Sequence, residues 1–345
     1  MIKEYFIDDV NWDKVVKSIY NYDVFYLNKY LKAFQFQGAG VPILLEYKNK
    51  KDIAINVVFR RDISKSHNFQ HILEKNKYFD LSSPYGYGGF IGIITDTNQL
   101  IKEWNEYCIN HGYISEFVRF NLFSNYKDYF DGKIETQSHN VIRSLEEPLD
   151  EIWMDFKHKV RKNVKRANTY NLEIILDNTG EYLEDFLKIY YNTMDRSLAK
   201  NEYYFTKQFF DILTSMNKNM IYFHVSYKGK IISTELVIYG AYNCYSYLGG
   251  TDKDFFDLRP NDFLKYEIIK WAKQKGLKNF VLGGGYGADD GIFQYKACLA
   301  PHGIVSFYTG KKIINNTLYQ KFVQLLKETN KNFDETSTFF PLYRS

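Results

Sequence analysis

The chain has 345 residues, is 45% hydrophobic and 25% charged, and carries a net charge of +4. That length and balance suit two domains with a sizeable buried core and exclude a disordered or fibrous chain. The mildly basic charge permits a phosphate-bearing ligand without demanding nucleic acid.

In chain order, residues 24–36 show helical spacing, with Phe25, Tyr26, Tyr30, Leu31 and Phe34 on one side. Residues 41–47 and 53–59 are strand-like and read as a hairpin around Lys48-Asn-Lys-Lys51. Arg60 and Arg61 close its second strand, as a solvated strand end or as a phosphate contact. The aromatic run Pro84-Tyr-Gly-Tyr-Gly-Gly89 precedes an amphipathic helix over 98–110, which Gly112 ends. A strand over 114–120 follows, with Arg119 inside it as a paired or ligand-facing charge.

The spacing predicts one long helix over 150–170, with an apolar stripe at Ile152, Trp153, Phe156, Val160, Val164 and Ala167. Lys157, His158, Lys159, Arg161, Lys162, Lys165 and Arg166 occupy its other side. A solvated face and a contact with a polyanion both account for that run. Helices over 182–194 and 206–216 flank a polar loop at Asp195-Arg196-Ser197. Three antiparallel strands read over 221–227, 231–239 and 243–248, the first pair joined at Lys228-Gly-Lys230, with Gly249-Gly250 after the third. Pro260 opens a helix that Gly276 ends. A last strand is read over 302–312 and a last helix over 317–330.

The chemistry concentrates in the stretch 279–296. A short buried strand runs into Gly283, Gly284, Gly285 and Gly287, then into Phe293, Tyr295 and Lys296. Glycines packed after a strand let a ligand approach the backbone. A lysine just beyond is the cation that amide-bond formation needs, because negative charge builds on the attacked carbonyl oxygen. The run matches neither a phosphate-binding G-x-x-x-x-G-K-[ST] loop nor a clean G-x-G-x-x-G, and a plain loop would look much the same. Asp252, Asp289 and Asp290 are nearby acids, and nothing selects one as a base. Cys298 with His302 would allow a thiol nucleophile, against the plainer reading of an inert buried cysteine.

Cys108, Cys244 and Cys298 lie far apart, without metal-ligand spacing, so no metal site is expected and a reducing compartment is. No apolar leader or membrane-spanning run is read, and the expected location is the cytoplasm, with room for peripheral association at the inner membrane face. The two halves rhyme: each runs from a helix through antiparallel strands and a Gly-Gly pair to a Gly-terminated helix and a strand. Gly88-Gly89 with the helix ending at Gly112 answers Gly249-Gly250 with the helix ending at Gly276.

That order, carried by Pro84–Gly89, Glu116-Phe-Val-Arg-Phe120 with Asn125, the run 161–167, Asp195-Arg196, the helix 260–276, Gly283-Gly-Gly285, Phe293-Gln-Tyr-Lys296 and Phe340-Pro-Leu-Tyr-Arg344, resembles the FemABX family of peptidoglycan-bridge aminoacyltransferases. The resemblance implies an α/β (α+β) fold of two tandem GNAT-like domains, each a mixed, mostly antiparallel sheet flanked by helices. The domains are expected at 1–148 and 149–345, with 149–171 as a linking basic helix. It implies an acyltransferase that makes an amide bond in peptidoglycan or surface-polysaccharide assembly. The donor would be aminoacyl-tRNA, and the acceptor an amine of a nucleotide- or lipid-linked sugar or peptide precursor. No bound cofactor is implied; aminoacyl-tRNA or acyl-CoA would be a co-substrate. Lys296 matches the family's lysine of the phenylalanine-x-x-lysine stretch, which implies a catalytic residue that holds phosphate or stabilises the reaction oxyanion. Arg196, Tyr85, Tyr87, Tyr295, Gly284 and Gly285 are the expected substrate-binding residues. Two departures stand out: no coiled-coil arm is present, and Asp257-Leu-Arg-Pro-Asn261 replaces the usual GNAT pyrophosphate loop. The rival readings are an acyl-CoA-dependent N-acyltransferase acting on an amino or nucleotide sugar, and a non-catalytic RNA-binding protein that uses the basic helix.

Overall fold

A computed structural model of the chain describes residues 2–285 and 290–345. Gly287 and Asp289 therefore lie outside the described residues. The first stretch runs β1 (Ile2–Phe6), α1 (Trp12–Lys17), α2 (Asn28–Phe36), β2 (Val41–Lys48), β3 (Ile53–Asp62), β4 (Phe79–Ser82), β5 (Ile91–Ile93), α3 (Thr97–Asn110), β6 (Tyr113–Arg119) and β7 (Lys133–Ser144). Next come α4 (Leu149–Asp155), α5 (His158–Ala167), β8 (Glu173–Asp177), α6 (Leu183–Arg196), α7 (Lys207–Thr214), β9 (Met220–Tyr227), β10 (Lys230–Tyr239), β11 (Asn243–Thr251), α8 (Pro260–Gln274) and β12 (Asn279–Gly283). The chain ends through α9 (Gly291–Leu299), β13 (Ile304–Ile313) and α10 (Asn316–Thr329).

Two compact units form, one from 1–137 with 307–345 and the other from 138–306. The expected boundary at 148/149 thus falls at 137/138, and the tail expected in the second domain packs with the first. The physical reason is a buried carboxylate. Asp80 accepts from Arg344 Nε at 2.6 Å, from the Tyr343 hydroxyl at 3.0 Å and from Arg61 Nε at 2.7 Å, so the C-terminus closes the charge balance of the first unit.

Each unit repeats one topology. In the first, β1, β2, β3 and β4 pair antiparallel in order; then β4 lies parallel to β6, and α3 makes the crossover between them. In the second, β8, β9, β10 and β11 pair antiparallel; then β11 lies parallel to β12, with α8 as the crossover. Parallel neighbours need such a crossover, which explains why each amphipathic helix sits between two strand-like runs. In the second unit Leu264, Ile268, Ile269 and Ala272 of α8 pack with Val160 and Val164 of α5 in one core.

The expected single helix over 150–170 is two. Phe156 and Lys157 are extended, with ψ of 141° and 144°. The Lys157 amide donates to the Cys298 carbonyl at 3.0 Å instead of continuing the helix, and Arg161 donates to the freed carbonyls of Met154, at 2.6 Å, and Phe156. The helix expected over 24–36 is likewise a single 3₁₀ turn followed by α2. Arg196, expected in a polar loop, ends α6, and Gly249-Gly250 lie inside β11. Strands β1, β7 and β8 had no clear alternating signal.

Inside the first unit Glu116 is buried, accepts from Trp104 Nε1 at 3.0 Å, and has a second oxygen without a hydrogen-bond partner among the described residues. Burial pushes its carboxyl up to about 7, against the pull of Lys312. A raised carboxyl binds its proton more tightly folded than unfolded, so stability falls as pH climbs from the unfolded value through about 7. Glu116→Gln should therefore raise the unfolding free energy at pH 8 by on the order of 2 kcal/mol and change it little at pH 5. Urea denaturation at the two pH values is the measurement.

Candidate active site

Strands β11 and β12 are paired only from Asn243 to Tyr245 against Asn279 to Val281. Beyond that they part, and the freed stretch Ser246 to Thr251 forms one wall of a cavity of about 590 Å³ within the second unit. The first turn of α8, the flank of α5, the end of α6 and the start of α9 supply the others. Among the described residues, five cationic side chains line it, Lys159, Arg196, Arg259, Lys265 and Lys296, against two carboxylates, Glu235 and Asp262.

Lys296 is placed by α9, whose N-terminus is capped by Asp290 accepting from the Ile292 amide at 2.7 Å. Its ammonium donates to the Gly284 carbonyl at 2.5 Å. The glycine run makes that contact available. Gly283 has φ +81°, and a Cβ on Gly284 would lie 2.6 Å from the His139 carbonyl oxygen. Burial, and next the ammonium of Lys265, push Lys296 down to about 8, while Glu235 and Asp290 pull the other way.

Lys265 and Glu235 form a buried ion pair, 6% and 4% exposed, and Lys265 also donates to Ser246 Oγ at 2.6 Å. Glu235 thus spends its charge on Lys265 and leaves Lys296 held by a neutral carbonyl. A cation so held can turn toward an oxygen that gains charge during a reaction. Asp262 is the other acid. One oxygen accepts from Asn163 at 3.1 Å, and the other is buried without a hydrogen-bond partner among the described residues. Burial pushes this carboxyl up to about 6, opposed by Asn163, Arg259 and Lys159. One cavity therefore holds a lysine shifted down and a carboxyl shifted up by burial, a pattern suited to acid–base chemistry.

Of the residues expected at the site, Lys296, Tyr295 and Arg196 line this cavity together. Gly284 supplies the carbonyl that holds Lys296, and Gly285 packs beside Asp290. The Arg196 guanidinium lies 5.1 Å from the Phe256 ring centre. Tyr85 and Tyr87 belong to the first unit, not to this cavity. Tyr87 is buried edge-on between Phe25 and Phe307, at 5.2 and 5.5 Å, which makes it a core residue and corrects its expected role. Tyr85 stacks on Phe34 and lies 5.6 Å from the Arg119 guanidinium, lining a separate cavity of about 700 Å³ with Arg61, Lys311 and Arg344. The Cys298–His302 pair does not form, since His302 Nδ1 sits 2.8 Å from Asp155. Asp252 is bonded to Lys230 at 2.9 Å. Glu235, Asp262, Lys265, Lys159, Asn163 and Arg259 were not expected. Glu235 did leave a signal, as a lone acid inside an apolar strand run.

Residues 154–297 match the Acetyltransferase (GNAT) domain family. Among curated proteins, the chain is 26% identical over 109 residues to the lipid II:glycine glycyltransferase of Staphylococcus haemolyticus, covering 30% of this chain and 26% of that protein. The match thus spans about a quarter of that relative's length. Among solved structures, FemX superposes with a TM-score of 0.69 at 14% identity, covering 92% of this chain and 99% of FemX. The L-PGS of Bacillus licheniformis gives 0.56 at 12%, covering 94% and 98%. The matched segment is GNAT-like, and the fold of the chain resembles that of FemX.

The buried pair gives a direct test of the site's electrostatics. Lys265→Met should destabilise the protein by about 3 kcal/mol by stranding Glu235, and adding Glu235→Gln should restore most of that loss. A double-mutant cycle in denaturant unfolding reads the coupling.

Proposed function

We propose that the chain is an acyltransferase that joins an activated acyl group, carried as an aminoacyl ester on RNA, to an amine of a cell-wall or surface-glycan precursor. The observation that carries this reading is Lys296, half-buried at one wall of an electropositive cavity, with its ammonium donating to the Gly284 carbonyl. In the step, the amine nitrogen bonds to the ester carbonyl carbon and the carbonyl oxygen becomes an oxyanion facing Lys296. Asp262, whose free oxygen is its candidate acceptor, takes the proton from nitrogen. The carbon–oxygen bond to the donor then breaks and that proton passes to the leaving hydroxyl. No covalent enzyme intermediate is needed, which agrees with a site built without a thiol–histidine pair.

The α8 N-terminus supports an ester donor over acyl-CoA. A pyrophosphate there would meet Asp262 in the first turn, and Pro260 offers no N–H. For the acceptor, the first unit's cavity is the candidate. It is lined by Tyr85, Arg119, Arg61, Lys311 and Arg344 with no carboxylate, so it suits a phosphate-linked precursor. Arg61, Arg344 and Lys311 are paired with Asp80 or Glu135, while among the described residues Arg119 forms no ion pair and lies near the Tyr85 and Phe117 rings. A relative named for glycyl transfer to lipid II and the likeness to FemX point the same way. Among the described residues no helix is long and apolar enough to cross a membrane.

The test is a mass shift on nucleotide- and lipid-linked precursors incubated with charged tRNA, with acyl-CoA as the rival donor. Lys296→Ala should lower kcat by about a hundredfold to a thousandfold and leave the far-ultraviolet circular dichroism unchanged. Full activity in that variant would remove the site. The pH profile should be bell-shaped, rising as Asp262 deprotonates near 6 and falling as Lys296 loses its charge near 8. Asp262→Asn should abolish the acid limb, and an unchanged limb would reassign the base.

A further inference from the structure

Helix α6 carries a stripe that the active cavity meets only at its C-terminal end. Asp185, Lys188, Ile189, Asn192 and Arg196 recur at spacings of three and four, so they share one face of the helix. That face lines a second cavity of the second unit, of about 620 Å³. Lys230 and Ile231 of β10 and residues 252–254 after β11 form its other side. Among the described residues, Arg196 is the side chain that lines both this cavity and the active one.

The cavity has an apolar base and a charged rim. Ile189 and Ile231 are buried. Asp252 accepts from Lys230 at 2.9 Å. Among the described residues Asp185, Lys188, Arg196, Lys253 and Asp254 form no ion pair. The Arg196 guanidinium leans on the Phe256 ring, and its contact with Thr193 Oγ1 is long, at 3.4 Å. A turn of that side chain therefore trades one cavity for the other at little cost. Both signs are present in near balance: Lys188, Arg196, Lys230 and Lys253 face Asp185, Asp252 and Asp254.

Charge balance selects the ligand. A polyanion would meet three carboxylates, and a polyamine would meet four cations. The carboxylates are spread rather than gathered: among the described residues no group of three Asp, Glu, His or Cys could hold a metal ion. A wholly apolar ligand would cover the unpaired charges without answering them. A molecule with one ammonium and one carboxylate answers both signs. Its length follows from the helix. Asp185 and Arg196 lie about 16 Å apart along α6 at 1.5 Å per residue. A free amino acid is too short to reach both, whereas an extended chain of about four or five residues spans them.

We propose that this cavity is a second ligand site, for a short extended peptide with both termini free. The peptide's ammonium lies at Asp185 and its carboxylate at Arg196. The Asn192 amide pairs with a peptide bond between them, and small apolar side chains lie over Ile189 and Ile231. The occupant draws Arg196 out of the active cavity and so lowers transfer. Binding stands on the geometry of this cavity; the inhibition rests on the acyl-transfer reading above.

The test uses the full chain and tetra-alanine, titrated by isothermal calorimetry. N-acetyl-tetra-alanine and tetra-alanine amide each lack one terminal charge and should bind about tenfold more weakly. Asp185→Asn, which lies outside the active cavity, should raise the Kd of tetra-alanine about tenfold and leave that of the N-acetyl peptide unchanged. Equal affinity for the three peptides would overturn the proposal, as would an equal loss of the free and N-acetyl peptides in the variant. Inorganic phosphate or spermidine bound as tightly as tetra-alanine would overturn it too. In the transfer assay tetra-alanine should inhibit with a Ki equal to its Kd, and Asp185→Asn should keep the basal rate and need about ten times more peptide for the same inhibition. Binding without inhibition, or a mass shift on tetra-alanine itself, which would make it an acceptor, also sinks the proposal. If no donor supports transfer, the functional reading fails, and the calorimetric difference between free and capped peptides alone decides whether the site stands.

Discussion

The parting of two parallel strands is the constraint on which the second unit depends. β11 and β12 bond over three residue pairs and then separate, because the chain beyond β12 turns at Gly283 while β11 continues along β10. A parallel pair that diverges leaves backbone and side chains facing a gap that no strand fills. Here the gap is lined by polar groups with one arrangement each: Ser246 and Glu235 hold Lys265, Gly284 holds Lys296, and Asn163 holds Asp262. A cavity of this kind is preorganised. Its dipoles need not reorient when charge develops, which is the largest single lever a protein has on a polar reaction.

Burial then decides which groups can act. Lys265 and Glu235 are joined as a buried ion pair. Among the described residues Lys296 and Asp262 form no ion pair, and desolvation moves their titrations toward neutrality from opposite sides. The first unit uses the same crossover architecture for a different balance. Its cavity gathers cations at the end of the β4–β6 pair, with Asp80 and Glu135 compensating all but Arg119. One topology, used twice, frames a cavity with two carboxylates in one unit and a cation-lined cavity in the other.

Much of the architecture was legible in residue order. The alternation of β2, β3, β9 and β10, the amphipathic spacing of α3 and α8 and their Gly stops translate directly into elements, because each signal is local. Lys296 was also legible, since a glycine run after an apolar strand is rare and the lysine follows on the next helix. The break between α4 and α5 was not. The apolar spacing continues across it, and only the amide of Lys157 bonding to Cys298, far along the chain, ends the first helix. Tyr87 misled for the same reason: an aromatic among glycines reads as a ligand contact until Phe25 and Phe307 are seen to enclose it.

By itself, then, the amino-acid order determined the repeated helix–strand plan, the lysine at the end of a glycine turn and the basic face of one helix. These depend on neighbours within a turn or two of chain. Only the tertiary structure decided that Glu235 cancels Lys265, that Asp262 is left with a bare oxygen, and that the C-terminal tail completes the first unit through Asp80. Electrostatic pairing and desolvation depend on which groups meet after the chain has closed over tens or hundreds of residues, and no local pattern records that distance.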